Sequence, residues 1–454
     1  MIYELIVIGG GPAGYLAAER AGHAGLSTLL IEKRSLGGVC LNEGCIPTKT
    51  LLYSAKIFDN AKHGGKYGVT AADAKLDHRA VVNRKNKVVR NLVAGIKAKM
   101  KKNNVTVVQG EGRIAGRSLE GYEVKVGDTS YTGRRLLIAT GSVPILPPIP
   151  GVKEGLETGF VLTNREILDL TEVPAKLVIV GGGVIGLEMA SYFQSAGSNV
   201  TVIEMLDHIA GNTDAEISQI LLKNYQKKGV RFLLNSKVTK IEQNAVICES
   251  GGQTFSVEAD KVLMSIGRRA ATEGLGLETI GVELERGRVK TDSKCQTNVP
   301  GVYAAGDVNG VSMLAHTAYR EAEVAINNIL GKKDIMRYHA IPSVIYTNPE
   351  VAGVGETEES ASKKGIEFEA AKLPMMYSGR YMAENEGGDG ICKVLVDKKH
   401  RKLIGVHMIG NYSSEIIYGA ALMIELEMRV DDVKELVFPH PTVSEIIRET
   451  IFEL

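Results

Sequence analysis

The 454-residue sequence contains no tryptophan, few other aromatic residues and only five cysteines. So few cysteines in so long a chain exclude the disulfide framework of a small secreted protein. Basic and acidic residues nearly cancel, 54 against 53, so the charge balance indicates neither a nucleic-acid nor an anionic-membrane partner. Glycine or charge interrupts each apolar run before the roughly 18 residues of a membrane helix. The composition is that of a globular protein with about three domains.

The low cysteine content also bears on location. Residues 4–8 read as a strand and follow no basic leader or cleavage site, so we expect a cytoplasmic protein. A disulfide in that compartment is catalytic more often than structural.

An internal repeat organises the first two thirds of the chain. Residues 5–32 and 177–204 align without a gap at an offset of 172. Each segment has an apolar strand, a G-x-G-x-x-G loop, a helical pattern and a second strand that ends in a glutamate, Glu32 or Glu204. The loop glycines are Gly9, Gly11 and Gly14 in the first copy and Gly181, Gly183 and Gly186 in the second.

This spacing is typical of dinucleotide-binding units. The first glycine permits the tight turn, the second lets the backbone approach a pyrophosphate, and the third lets helix and strand pack closely. The helix N-terminus then offers free N–H groups to the phosphates. A carboxylate at the end of the next strand accepts hydrogen bonds from a ribose and repels a 2′-phosphate. Two complete units therefore predict two dinucleotide sites, each for a cofactor without that phosphate.

A pair of cysteines follows the first unit. Cys40 and Cys45 enclose the residues L-N-E-G, and Gly44 supplies the freedom that closing this small ring requires. A thiolate is the reactive form of such a pair and needs a base or a positive environment. The alternative, two buried structural thiols, does not explain their place beside a dinucleotide fingerprint.

The rest of the chain divides at changes of pattern. The proline-rich segment 144–150 indicates a domain boundary, and residues 82–104 predict a basic helix with a solvated face. From about residue 336, strands at 341–346, 391–397 and 403–409 alternate with helices at 357–364, 413–427, 431–436 and 442–451. This mixture predicts an α+β third domain.

Together these residues resemble the FAD-dependent pyridine nucleotide–disulfide oxidoreductases along essentially the whole chain. The motifs that carry the resemblance are G-G-G-P-A-G, G-G-V-C-L-N-E-G-C-I-P-T-K, A-T-G-S, G-G-G-V-I-G-L-E, S-I-G-R-R, A-A-G-D-V, M-L-A-H and P-H-P-T-V-S-E. The resemblance implies an α/β fold with two Rossmann-like domains and an α+β dimerisation domain. Its boundaries would be 1–143 with 268–335 for FAD, 144–267 for NAD, and 336–454 for the interface.

The resemblance also implies which residues bind each cofactor. The first loop would bind FAD, with Glu32 on its ribose. Further FAD contacts would come from Gly112, Thr140, Gly141, Ser142, Asp307, Met313, Leu314, Ala315 and His316. The second loop would bind NAD, with Glu204 on its ribose and further contacts from Val238 and Gly267. Relatives that use NADPH carry arginines after this strand, whereas here Glu204 is followed by Met-Leu-Asp-His.

The same resemblance implies a relay of electrons and a base. Cys40 would exchange with a dithiol substrate, and Cys45 would face the flavin. His440, held between Pro439 and Pro441, would be the acid/base of the thiols and would be oriented by Glu445. In the family this pair comes from the partner subunit, which implies a homodimer.

Two further residues and one departure belong to this part of the resemblance. Lys49 would pair with Glu188 beside the flavin, where a cation stabilises the reduced ring. After S-I-G-R-R, relatives usually have Pro-Asn, whereas here Ala270 and Ala271 predict a less rigid loop.

The implied activity is the NAD-dependent reoxidation of a protein-bound dihydrolipoyl group. The lipoyl group would arrive on a partner, an acyltransferase or H-type protein of a 2-oxoacid dehydrogenase or glycine-cleavage complex. No metal, membrane or nucleic acid is expected. Two alternatives remain open, a glutathione-type reductase that uses NADPH and a non-catalytic nucleotide-binding redox sensor. A flavin spectrum and the choice between NADH and NADPH would separate them.

Overall fold

The computed structural model describes residues 1–385 and 387–454, and it has the expected α/β architecture. Its first domain is a five-stranded parallel sheet with helices on its faces. In spatial order the strands are Val302–Ala304, Leu136–Ile138, Leu5–Ile8, Thr28–Glu32 and Thr106–Gln109. The helices are Pro12–His23, Gly38–Glu43, Cys45–Lys62, His78–Lys102 and Ala315–Ile329. Every residue of strand Leu5–Ile8 is buried, as a central parallel strand requires.

The chain order of these strands locates a crevice. Counted along the chain, the sheet has the order 3-2-1-4-5, so the connections diverge between Leu5–Ile8 and Leu136–Ile138. Ligands of such sheets bind beyond the carboxyl ends of the strands at that point. A second, four-stranded sheet completes the domain, with strands Ile2–Tyr3, Thr129–Gly133, Gly121–Val126 and Gly112–Ser118.

The second domain repeats the plan. Its parallel sheet contains, in spatial order, Val161–Leu162, Lys261–Met264, Lys176–Val180, Asn199–Ile203 and Arg231–Leu233. The helices are Val152–Thr158, Val184–Ser195 and Ala215–Lys227. A three-stranded antiparallel sheet, Lys237–Glu242, Ala245–Ser250 and Gln253–Glu258, packs against it through a separate apolar cluster.

The third domain is an antiparallel sheet with helices. The strands, in spatial order, are Ser343–Ile345, Val351–Gly355, Leu403–Ile409, Ile391–Asp397 and Phe368–Pro374. The helices are Glu358–Lys363, Gly379–Asn385, Ser413–Glu425, Val430–Lys434 and Glu445–Phe452. The last helix begins three residues later than the pattern predicts, because the carboxylate of Glu445 accepts the backbone N–H of Thr442 at 2.8 Å outside the helix.

The remaining elements are short. Two-stranded ladders join Ser142–Pro144 to Arg268–Ala270 and Leu284–Glu285 to Arg288–Val289. Single 3₁₀ turns lie at Gly64–Tyr67, Glu166–Asp169, Leu277–Ile280, Asp307–Asn309 and Met375–Tyr377. The expected loop at Ala270 is therefore a strand that pairs with Ser142. Among the described residues, no helix is long and apolar enough to cross a membrane.

Candidate active site

One large cleft joins the two parallel sheets at the carboxyl ends of their strands. Its volume is about 1600 Å³, and both glycine loops and both cysteines of the predicted redox pair line it. A site for one small molecule usually measures about 300–1,000 Å³. The cleft therefore has room for two dinucleotides that meet near the cysteines.

The internal repeat extends to individual hydrogen bonds. The carboxylate of Glu32 accepts the N–H of Gly10 at 2.7 Å and that of Arg34 at 2.6 Å. Glu204 accepts the equivalent N–H of Gly182 at 2.7 Å and that of Leu206 at 2.9 Å. Each glutamate thus ties the end of its strand to its glycine loop, which fixes the carboxylate at the cleft wall.

The first and third glycines of each loop are required by the protein itself. Gly9 and Gly181 have φ of +105° and +106°, a conformation that other residues rarely adopt. A Cβ on Gly14 or Gly186 would lie 1.8 or 2.3 Å from the carbonyl oxygen of the first glycine in its loop. These two glycines therefore permit the helix to pack on the strand.

The second glycine of each loop has no such reason within the chain. Gly11 and Gly183 have φ of −73° and −78°, which any residue adopts. A Cβ on Gly11 would meet only the Cα of Gly38 at 3.8 Å, and one on Gly183 would meet nothing within 4 Å. A bare backbone facing open space is what close approach of a pyrophosphate requires. The site residues therefore fit two dinucleotide cofactors.

Cys40 and Cys45 lie on consecutive helices at the junction of the two halves of the cleft. Cys45 is the first residue of the 18-residue helix Cys45–Lys62, and Cys40 lies in the helix Gly38–Glu43. The thiol of Cys40 donates to the sulfur of Cys45, which lowers the pKa of Cys45 and raises that of Cys40; the ammonium of Lys49 lowers the pKa of Cys45 further. This hydrogen bond thus favours ionisation of Cys45 over that of Cys40.

Lys49 and Glu188 form an ion pair beside the cysteines. The Nζ of Lys49 lies 2.9 Å from both carboxylate oxygens of Glu188, whose side chain is only 5 % exposed. The N–H of Tyr346 also donates to Glu188 at 3.0 Å, and the ammonium lies 4.5 Å from the centre of the Tyr346 ring. Glu188 therefore holds the ammonium of Lys49 in a fixed position at the cleft wall near Cys45.

A second polar cluster lies on the opposite side of the glycine loop. The hydroxyl of Ser142 donates to Asp307 at 2.5 Å and accepts from the guanidinium of Arg268 at 2.7 Å. The same guanidinium reaches the side-chain oxygen of Asn164 at 3.1 Å. The hydroxyl of Thr140 donates to the carbonyl of Ala271 at 2.8 Å. These bonds hold the A-T-G-S and A-A-G-D segments together at the cleft.

The structure places most of the predicted site residues in this one cleft. Those that line it are Gly9, Gly11, Glu32, Cys40, Cys45, Lys49, Gly112, Thr140, Gly141, Ser142, Gly181, Gly183, Glu188, Glu204, Gly267, Asp307, Met313, Leu314, Ala315 and His316. Gly14 and Gly186 lie behind the loops, and Val238 is buried in the apolar cluster under the small antiparallel sheet. The side chain of Val238 thus packs in the domain core, and its contact with a cofactor stays a prediction.

His440 and Glu445 lie outside the cleft of their own chain. The Nδ1 of His440 is 2.8 Å from Glu445, and the imidazole is 77 % exposed. The N–H of Thr442, followed by His440, lowers the pKa of the Glu445 carboxyl. The geometry is that of an oriented imidazole with a free Nε2, presented on the surface of the third domain.

Sequence reasoning missed an ion triad centred on Glu43, which lies between Cys40 and Cys45 in the chain. Glu43 accepts Arg34 at 2.8 Å and Arg165 at 3.0 Å, and its carbonyl accepts the amide of Asn164 at 2.8 Å. All four residues line the cleft. Arg165 is 122 positions from Glu43, so no local pattern predicts this contact. The triad fastens the segment between Cys40 and Cys45 to both domains.

Comparison with known proteins agrees with this geometry. Residues 3–322 match the family described as pyridine nucleotide-disulphide oxidoreductase, and residues 341–451 match the dimerisation domain of that family. The first match contains both glycine loops and both cysteines, and the second contains His440 and Glu445.

Individual relatives extend along the whole chain. The dihydrolipoyl dehydrogenase of Mycoplasma pneumoniae is 40% identical and covers 99% of this chain and 98% of its own length. The mitochondrial dihydrolipoyl dehydrogenase of Pisum sativum is 38% identical, covering 98% of this chain and 90% of its own. The crystal structure of LpdA from Mycobacterium tuberculosis superposes with a TM-score of 0.90 at 27% identity, over 99% of each chain. The chain therefore belongs to the pyridine nucleotide-disulphide oxidoreductase family, and the expected cofactors, FAD and NAD, are those of the dihydrolipoyl dehydrogenases in it.

Proposed function

We propose that this chain is a dihydrolipoyl dehydrogenase, which oxidises a protein-bound dihydrolipoyl group and reduces NAD. The observation that carries the proposal is the position of Cys40 and Cys45 in one cleft with two glycine loops that face open space. Full-length similarity to enzymes named for this reaction supports the same substrate.

The two halves of the cleft would hold different cofactors. We assign residues 1–143 and 268–335 to the FAD domain, 144–267 to the NAD domain and 336–454 to the interface domain. The loop from Gly9 would hold FAD, with Glu32 on its ribose, and the loop from Gly181 would hold NAD, with Glu204 on its ribose. Bound FAD supplies two-electron chemistry between a dithiol and a nicotinamide. Glu204 would disfavour NADP, because its carboxylate repels a 2′-phosphate.

The cysteines perform thiol–disulfide exchange. A thiolate of the dihydrolipoyl group attacks the Cys40 sulfur of the oxidised pair, the Cys40–Cys45 bond breaks, and Cys45 leaves as a thiolate. The second lipoyl sulfur then attacks the mixed disulfide, which releases the oxidised lipoyl ring and leaves Cys40 as a thiol. Besides the hydrogen bond from Cys40 in the reduced pair, the ammonium of Lys49 lowers the pKa of Cys45, and this charge together with the helix N-terminus would favour Cys45 as the leaving thiolate.

The two thiol protons require a base, which we assign to His440 of a partner subunit. In its own chain, His440 does not line the cleft, although Glu445 orients its ring. The helix Ser413–Glu425 exposes Tyr418 and Leu422, 71% and 46% accessible and four residues apart, so the interface domain presents an apolar stripe. A homodimer would bury this stripe and bring each imidazole to the other subunit's cysteines.

The substrate would arrive on a partner protein. We infer that the lipoyl arm is carried by an acyltransferase or an H-type protein and that the enzyme works in the cytoplasm.

A steady-state assay tests the proposal. The purified protein should be yellow, and it should reduce NAD with dihydrolipoamide at least 100-fold faster than it reduces glutathione disulfide with NADPH. The reverse preference would make it a glutathione-type reductase. A colourless protein without flavin absorbance would favour the sensor alternative and would exclude both reactions.

A further inference from the structure

Two tyrosines, Tyr15 and Tyr319, connect two neighbouring helices that begin at the cleft near the cysteines. Tyr15 lies in the first turns of helix Pro12–His23, and Tyr319 lies in those of helix Ala315–Ile329. Their hydroxyls are in hydrogen-bond contact, and the rings pack edge to face with centroids 5.9 Å apart.

The pair lies beside the redox cysteines. Tyr319 lines the cleft together with Cys40 and Cys45. Tyr15 packs against the apolar cluster that contains Leu41 and Ile46, the residues that follow the two cysteines. Charge on either cysteine would also raise the pKa of both phenols, although burial is the main reason that the pKa values of Tyr15 and Tyr319 are raised.

The hydrogen bonding leaves one proton unused. Two phenols share a single bond between their oxygens, so one hydroxyl hydrogen of the pair needs another acceptor. When Tyr15 donates the shared bond, the hydroxyl hydrogen of Tyr319 has no acceptor within the pair. Because Tyr319 is the member that lines the cleft, this hydrogen is then available to a ligand there. Burial keeps both phenols neutral, so the pair acts as a donor without charge.

We propose that Tyr319, held by Tyr15, positions the dithiol substrate by donating its hydroxyl hydrogen to the substrate sulfur that approaches Cys40. The proposal rests on the proposed function and adds a substrate contact to it. The ring of Tyr319 also gives the cleft an uncharged wall, which suits a neutral aliphatic dithiol better than a charged peptide disulfide. Tyr15 is then a positioning residue, since it acts through Tyr319.

Two conservative variants and one control test the proposal. Tyr319→Phe keeps the ring and removes the donor, so the KM for dihydrolipoamide should rise by up to about 10-fold, the upper size expected for one hydrogen bond between uncharged groups. Tyr15→Phe leaves the Tyr319 donor in place and should raise that KM only about 2-fold to 3-fold. Tyr131→Phe, in the strand Thr129–Gly133 away from the cleft, should leave the KM unchanged. The KM for NAD should stay constant in all three.

The outcomes separate this inference from the proposed function. An active wild-type enzyme whose KM for dihydrolipoamide is unchanged in Tyr319→Phe would overturn the inference alone. A lower melting temperature without a change in KM would also overturn it, because the pair would then be structural. A wild-type protein that cannot oxidise dihydrolipoamide would overturn the proposed function itself.

Discussion

Replacing Lys49 with methionine should destabilise the protein and raise the pKa of Cys45. The substitution removes an ammonium that lies 2.9 Å from both oxygens of Glu188, a carboxylate with a side-chain exposure of 5%. The N–H of Tyr346, at 3.0 Å, would be its remaining donor. Breaking a buried ion pair costs about 3–5 kcal/mol. Because Lys49 is itself 31% exposed, water can replace part of the interaction, and we expect about 2–3 kcal/mol.

The chemical effect has a defined sign. The hydrogen bond from Cys40 is the main cause of the low pKa of Cys45, and Lys49 lowers it further. Without the ammonium the pKa of Cys45 rises, so less thiolate is present below that pKa. The rate at which iodoacetamide alkylates the reduced enzyme should therefore fall near neutral pH, and its pH profile should move to higher pH.

A double variant separates stability from chemistry. Lys49→Met combined with Glu188→Gln removes the stranded charge, so urea unfolding should return to within about 1 kcal/mol of wild type, while the alkylation profile stays displaced. Lys56→Met is the matched control, because its contact with Glu350 is 3.8 Å long and partly exposed, and it should cost under about 1 kcal/mol. The reasoning fails if Lys49→Met unfolds like wild type, or if the double variant is no more stable than the single one.

Three further substitutions test the site and its support. Cys45→Ser should retain flavin and lose dihydrolipoamide turnover, and normal turnover in this variant would refute the relay. The control variant Cys248→Ala, in the small antiparallel sheet, should retain dihydrolipoamide turnover. His440→Gln should slow dihydrolipoamide oxidation at least 100-fold and leave electron transfer from NADH to a dye intact. The control variant His339→Gln should leave both activities intact, and equal loss of both activities in His440→Gln would count against a thiol base. Lys393→Met leaves the fully buried carboxylate of Asp214, at the start of helix Ala215–Lys227, without its cation. The free energy of unfolding in urea should fall by about 3–5 kcal/mol, and an unfolding midpoint equal to that of wild type would contradict this.

Local pattern was sufficient wherever spacing along the chain expresses a physical constraint. The sequence predicted the positions of three features: the glycines of the two loops, the glutamates that end the next strands, and the closely spaced cysteines. In each case the interacting residues lie within one unit of about 30 residues. The helix boundaries were less predictable: the helix predicted at 82–104 begins at His78, since the side chain of Asp77 accepts the N–H of Ala80 at 3.0 Å. Capping by one side chain moved that boundary by a turn.

Residues that meet from distant parts of the chain could not be located in this way. The contacts of Glu43 with Arg165, of Ser142 with Arg268 and of Tyr15 with Tyr319 join positions more than 100 apart in the chain. Family resemblance supplied Lys49 with Glu188 but none of these. Side-chain pairs of this kind depend on tertiary packing between segments that are distant in the chain.

The sequence by itself therefore determined the two dinucleotide units, the redox pair and the α/β class, because each is a local arrangement of backbone conformation and spacing. Tertiary structure alone decided that both units open into one cleft, that the pKa of Cys45 is lowered while that of Cys40 is raised, and that His440 lies outside that cleft in its own chain. The physical reason is the same in each case: proton sharing, burial and access depend on groups that only the folded chain brings within contact distance.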